Sequence, residues 1–208
     1  MLACITISDW IQLSVGVGTI LVAWAAIFGA RMNNRFLPAR LQITVHNPKG
    51  QLEEHPQYGP THCFHLLIRN TKPWIPITRT RILLRAASRL RRGASKWEEI
   101  IFPVARQFVW APSEHAPKDL TVSDAEVLDF GSLSRGRDFT PTFYPQGGSL
   151  DVRVSAGDTL RYVIELQADG YYDKHVHVAE VQWDGVFPQS RDDVPEHLKI
   201  LLTSKKRA

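Results

Sequence analysis

"TLRYVIELQAD", residues 159–169, places Leu160, Tyr162, Ile164, Leu166 and Ala168 on one side of an extended chain. Successive side chains of a strand point to opposite faces, so this alternation describes a strand with one buried face. The same period recurs elsewhere. "RLQITVH" (40–46) aligns Leu41, Ile43 and Val45, and "HCFHLLIRN" (62–70) aligns Phe64, Leu66 and Ile68. "RTRILLRAA" (79–87) sets Ile82, Leu84 and Ala86 against Arg79, Arg81 and Arg85, and "HVAEVQWDG" (177–185) aligns Ala179, Val181 and Trp183. Shorter candidates are "QFVW" (107–110), "EVLDFG" (126–131), "SLDVRV" (149–154) and "LKILL" (198–202). Turn clusters such as "HNPKG", "NTKPW" and "SAGD" separate them. Many short strands without long helices between them predict an all-β domain, a sandwich of two antiparallel sheets. Brief helical turns are expected at "VSDAEV" (122–127) and at "DDVPEHL" (192–198), the latter capped by Asp192 or Asp193. Trp74, Trp97, Trp110 and Trp183 are expected in or at the edge of the core.

The N-terminal part reads differently. Between Asp9 and Arg31 there is no charged residue. About twenty helical residues cover the roughly 30 Å hydrocarbon core, so residues 10–30 are long enough for one transmembrane helix. A cleaved signal peptide would open with a positive segment, and "MLACITISD" carries none. Arg31, Arg35 and Arg40 follow the apolar run, which places the N-terminus outside and the C-terminal domain in the cytoplasm of a bacterial inner membrane. The resulting organisation is a short extracytoplasmic N-terminus (1–9), a transmembrane helix (10–30), a juxtamembrane linker (31–37), a β-sandwich domain (38–203) and a basic tail (204–208). Ser14, Gly18, Ala25 and Gly29 keep small residues near one helical face, where a second copy of the helix could approach closely. The two cysteines, Cys4 and Cys63, fall on opposite sides of such a span and define no disulfide framework.

The order "HLLIRNTKPWIPITRTRILL", "FVWAPSE", "LDFG", "AGDTLRYVIELQAD", "VQWDG" resembles small bacterial proteins with one N-terminal span and a cytosolic immunoglobulin-like domain. The resemblance covers nearly the whole chain. It implies an immunoglobulin-like antiparallel sandwich and carries no catalytic motif. The paired cysteines of antibody-type domains are absent.

Composition is ordinary, 44% hydrophobic and 22% charged with a net charge of +4, which argues against wholesale disorder. No phosphate loop, dinucleotide fingerprint, G-x-S-x-G elbow or H-E-x-x-H occurs. Two pairs have metal-ligand chemistry: Cys63 with His65, and His175 with His177, each pair sharing a strand face. Were their strands neighbours, four ligands would converge as tetrahedral zinc requires; otherwise Cys63 is a small buried hydrophobe and the histidines sit at strand ends. Between residues 72 and 96 there are eight Lys or Arg and no acid. Arg79, Arg81, Arg85, Arg89, Arg91 and Arg92 are therefore the candidate contacts for an anionic ligand or for lipid headgroups. Acids on neighbouring strands balancing these charges are the competing reading. Nucleic acid is disfavoured, since neither a known module nor interleaved exposed aromatics accompany the arginines. The loops expected to be mobile are "YPQGGS" (144–149) and "DGYYDK" (169–174), where Tyr171 and Tyr172 anchor a partner if exposed, a packed loop being the competing reading.

These observations predict a membrane-anchored, non-enzymatic binding or sensor module, without cofactor, for a protein partner or an anionic ligand. Two alternatives stand beside it. One is a membrane effector of a bacterial conflict system that acts by transmembrane clustering, as a homo-oligomer. The other is a metal-binding enzyme built on the His/Cys pairs.

Overall fold

In a computed structural model, the described residues are 10, 12, 14–25, 41–102, 104–111, 120–144, 151–169, 171, 173 and 175–206. Two units separate, Met1–Pro38 and Ala39–Ala208. In the first, residues 10, 12 and 14–25 are helical (α1). Among the described residues no helix is long and apolar enough to cross a membrane. Residues 11, 13 and 26–30, which the expected span needs, lie outside the described set, Gly29 among them, as does the linker (31–37). Ser14, Gly18 and Ala25 fall on α1, and a Cβ added at Gly18 would meet no atom within 4 Å.

The second unit is mostly β. Its strands are β1 (Leu41–Val45), β2 (Gln51–His55), β3 (Gly59–Asn70), β4 (Ile77–Leu90), β5 (Glu98–Ile100), β6 (Arg106–Trp110) and β7 (Leu120–Val122). They continue as β8 (Ala125–Ser134), β9 (Thr140–Pro141), β10 (Phe143–Tyr144), β11 (Thr159–Gln167), β12 (His175–Trp183) and β13 (Leu198–Lys206). A single turn of helix, α2 (Val194–His197), precedes β13; Asp193 stands at its N-cap position but makes no side-chain capping hydrogen bond.

Instead of two separate sheets, hydrogen bonding links all the strands into one antiparallel sheet, in the order β1-β3-β8-β6-β4-β11-β12-β13. The sheet coils nearly into a barrel, and its end strands β1 and β13 approach each other. The strand that joins the two halves is β6: Val109 and Trp110 pair with β8, while Arg106 and Gln107 pair with β4. The short "QFVW" run thus decides between a sandwich and a continuous sheet.

Inside, the alternating residues of β3, β8, β11 and β12 interleave. Phe130 lies 5.8 Å from Phe108, 5.9 Å from Phe139 and edge-on to Tyr162 at 5.8 Å. Tyr162 is fully buried and donates its hydroxyl to the Val152 carbonyl at 2.7 Å. Burial pushes that phenol well above its ordinary pKa.

Several expectations need correction. "VSDAEV" holds no helical turn: it carries the end of β7 and the start of β8, joined by the bend at 123–124, with β7 paired to β4 and β8 to β3. Trp110 and Trp183 are core residues, but Trp74 is 67% exposed and Trp97 lies half-buried beneath the Arg161 guanidinium. Of "SLDVRV", the described residues 151–154 form no strand beyond a single bridge from Val154 to Phe139. Ser204, Lys205 and Lys206 extend β13 and so belong to the sheet, not to a loose tail.

Candidate functional site

The arginine array is divided by a β-bulge. Leu84 pairs with Ile164 and Ala86 with Val163, so Arg85 is an extra residue that β11 does not match. The insertion reverses which parity faces the core: Ile82 and Leu84 are buried before it, and Ala87, not Ala86, after it. Arg89 consequently turns towards the interior, with its side chain 11% exposed. It grips Asp151 with two parallel hydrogen bonds of 2.9 and 3.0 Å. The bonds from Arg89 hold the Asp151 carboxyl below its ordinary range. Arg85 pairs with Glu165, Arg91 with Glu98 and Arg79 with Asp169. Arg92 lays its aliphatic stem across Gly157, where an added Cβ would come within 2.8 Å of its Cδ. The run of basic residues is therefore largely balanced by carboxylates from neighbouring strands, which a linear reading cannot count.

The two metal-type pairs do not meet. β3 pairs with β1, β2 and β8, whereas β12 pairs with β11 and β13. Among the described residues no group of three His, Cys, Asp or Glu could hold a metal ion. His65 faces Asp129 at 3.2 Å. Cys63 points its thiol at Glu53 from 3.7 Å, and burial together with that carboxylate pushes its pKa up to about 12. In residues 39–208, which contain no other cysteine, alkylation by iodoacetamide at pH 8 should be at least about tenfold slower than for an ordinary thiol. Glu53→Gln should recover part of the rate. An ordinary alkylation rate would show that the thiol is not held protonated by these neighbours.

What the fold does assemble lies at one end of the sheet, around the start of β4, the end of β11 and the turn into β12. Asp173 is buried there and accepts hydrogen bonds from the His175 amide at 2.9 Å and from His177 Nε2 at 2.7 Å. His177, directly opposite Ser204 in the β12–β13 ladder, places Nδ1 2.6 Å from the Ser204 hydroxyl. In the tautomer whose Nε2–H donates to an ionised Asp173, a neutral ring leaves Nδ1 as the acceptor for the serine proton. Burial penalises the Asp173 charge, but the hydrogen bonds from His177 and the His175 amide prevail and hold its carboxyl below the ordinary range. The line is a base aligned on a hydroxyl, the arrangement that activates a nucleophile. Here, however, Ser204 is an exposed strand residue, and the adjoining cavity is lined by Asp173 and not by His177 or Ser204.

That cavity has a volume of about 430 Å³ and is lined by Arg79, Arg81, Gln167, Asp169, Tyr171 and Asp173, among others. Tyr171 is half-buried against the core and its hydroxyl accepts the Leu41 amide at 3.4 Å, so it serves as part of the wall; Tyr172 lies outside the described residues. Among the described residues Arg79 is the non-glycine residue with positive φ, at +52°. It occupies an irregularity in which Ile77 pairs with Val122 and Thr80 with Leu120, leaving one residue too many on β4. Such a left-handed position ordinarily goes to glycine. Of the arginine candidates, Arg79 and Arg81 reach the cavity. Asp169, Asp173 and Gln167 were not legible as site residues, since they come from a loop and a strand end; the cue in sequence is the "ADGYYDKH" cluster of turn-forming and titratable residues. No protein-family model, curated protein or solved structure matches the chain.

Proposed function

We propose that the chain is a membrane-attached, non-enzymatic binding domain. Its ligand carries an anionic group for Arg79 and Arg81 together with hydroxyl or amine donors for Asp169 and Gln167. The uncharged run between Asp9 and Arg31 supports the attachment, and the antiparallel architecture is compatible with kinship to immunoglobulin-like modules. The observation that carries the binding reading is the strained backbone of Arg79 at the rim of the polar cavity. A left-handed non-glycine residue costs about 1–2 kcal/mol, and strain of this kind gathers where a side chain must be aimed at something.

Arg79→Gly separates strain from binding. The relief is offset by the greater unfolded-state entropy of glycine, about 0.5–1 kcal/mol. The ion pair to Asp169 is exposed on both sides and worth little. Stability should therefore stay within about 1 kcal/mol of the parent. Thermal-shift screening of residues 39–208 against small phosphate- and carboxylate-bearing compounds should find ligands that stabilise the parent and leave the glycine variant unmoved. Ligands that stabilise both equally, or none that stabilise the parent, would sink the proposal.

A further inference from the structure

We infer that the end of the β-domain bearing Trp74 docks on a lipid surface containing anionic phospholipids, with Trp74 at headgroup level. The inference deepens the proposal above and rests on its membrane attachment. Trp74 sits at the tip of a tight turn, closed by the Ile75 amide donating to the Lys72 carbonyl at 2.9 Å. The turn is built on Asn70, which is 1% exposed. Its Nδ2 donates to the Ile75 carbonyl at 2.8 Å and to the Val122 carbonyl at 3.2 Å, and its Oδ1 accepts the Lys72 amide at 2.9 Å. The fold thus spends a buried asparagine on fixing a turn whose indole remains 67% exposed. An indole with an apolar body and one polar N–H suits the membrane interface.

The position of the turn identifies what covers it. Leu41, where the described domain begins, pairs with Asn70, so the chain arriving from the N-terminal segment enters at this same end. The charge also fits. Arg69, Lys72, Arg79, Arg81, Lys205 and Lys206 gather at this end, against Asp124, Glu126, Asp169 and the buried Asp173. Among the described residues Arg69, Lys72, Lys205 and Lys206 have no acidic partner, unlike the arginines further along β4.

The test uses residues 39–208, whose buried cluster lies wholly between Leu41 and Leu198 and therefore stands without the N-terminal unit. The domain should bind vesicles of phosphatidylcholine with added phosphatidylglycerol, not phosphatidylcholine alone, and salt should weaken the binding. Each of Lys72→Gln and Lys205→Gln should weaken it about fivefold. Lipids with brominated acyl chains should quench indole fluorescence in the parent, and Trp74→Phe should abolish that quenching while leaving the fold intact, since the side chain is exposed. Alkaline carbonate extraction of the full chain tests the attachment separately. If carbonate releases the full chain while the domain still binds anionic vesicles through Trp74, the membrane span fails and the docking surface stands. If the full chain resists extraction but the domain ignores both vesicle types, or Trp74→Phe is quenched like the parent, the docking surface is overturned and the span survives.

Discussion

Phe130→Ala should destabilise the β-domain by about 3–5 kcal/mol, the range for truncating a fully buried phenylalanine. Phe130 is 0% exposed on β8 and touches rings from β6, the 139 segment and β11. Those rings come from both halves of the sheet, so the cavity left behind cannot close by shifting one strand. Gly131 next to it adds a constraint, because a Cβ there would lie 2.6 Å from the Phe139 ring and 2.8 Å from the Thr140 carbonyl. Phe139 is therefore pinned against the backbone and is poorly placed to fill the void. Denaturant unfolding of residues 39–208 should show a lower midpoint with an unchanged slope, whereas Trp74→Ala should move the midpoint little. A loss below about 1 kcal/mol for Phe130→Ala would mean that the two halves are not joined through this cluster.

The residues that build this core are mostly the ones that alternation identifies. Leu41 and Ile43, then Phe64, Leu66 and Ile68, then Leu160, Tyr162, Ile164 and Leu166, and finally Ala179, Val181 and Trp183 all face inward, because their strands gain no residue and one face is buried. Alternation fails where a strand gains a residue. The insertion at Arg85 makes Ala87 the core residue and turns Arg89 inward, and no pattern in "RILLRAASRL" marks that residue as the one without a partner. The same limit explains the closure of the sheet. Period two specifies a buried face, but which strand bridges two halves depends on the partner choices of β6, made over only a few residues. Charge is likewise a property of strand neighbours: the acids that neutralise Arg85 and Arg89 lie 80 and 62 residues away in sequence. The cavity was half-visible in the same way. Arg79 and Arg81 stand out as cations, whereas Asp173 gains its role only when the turn before β12 buries it beside His177.

Asp173→Ala should cost the domain on the order of 3 kcal/mol, since it strands two donors in a buried site at about 1–3 kcal/mol each. The donors are His177 Nε2–H and the His175 amide, and both the Asp173 and His177 side chains are nearly inaccessible, at 3% and 4%. Ser204→Ala should cost less, because it removes one partner from an exposed strand position and leaves the aspartate–histidine contact intact. The pH dependence separates this account from simple loss of packing. The Asp173 carboxyl is held below its ordinary range in the folded state, so the unfolded chain takes up the proton first as pH falls. Its contribution is fully present above the unfolded value of about 3.9 and is lost as pH falls through the lower, folded value. The stability gap between parent and Asp173→Ala should therefore be constant near neutrality and narrow only in acid, below about pH 4. Equilibrium unfolding of both proteins across that range reads the gap directly. A gap that stays constant into strong acid would assign the loss to packing, and a gap that narrows near neutrality would place the controlling proton on the histidine.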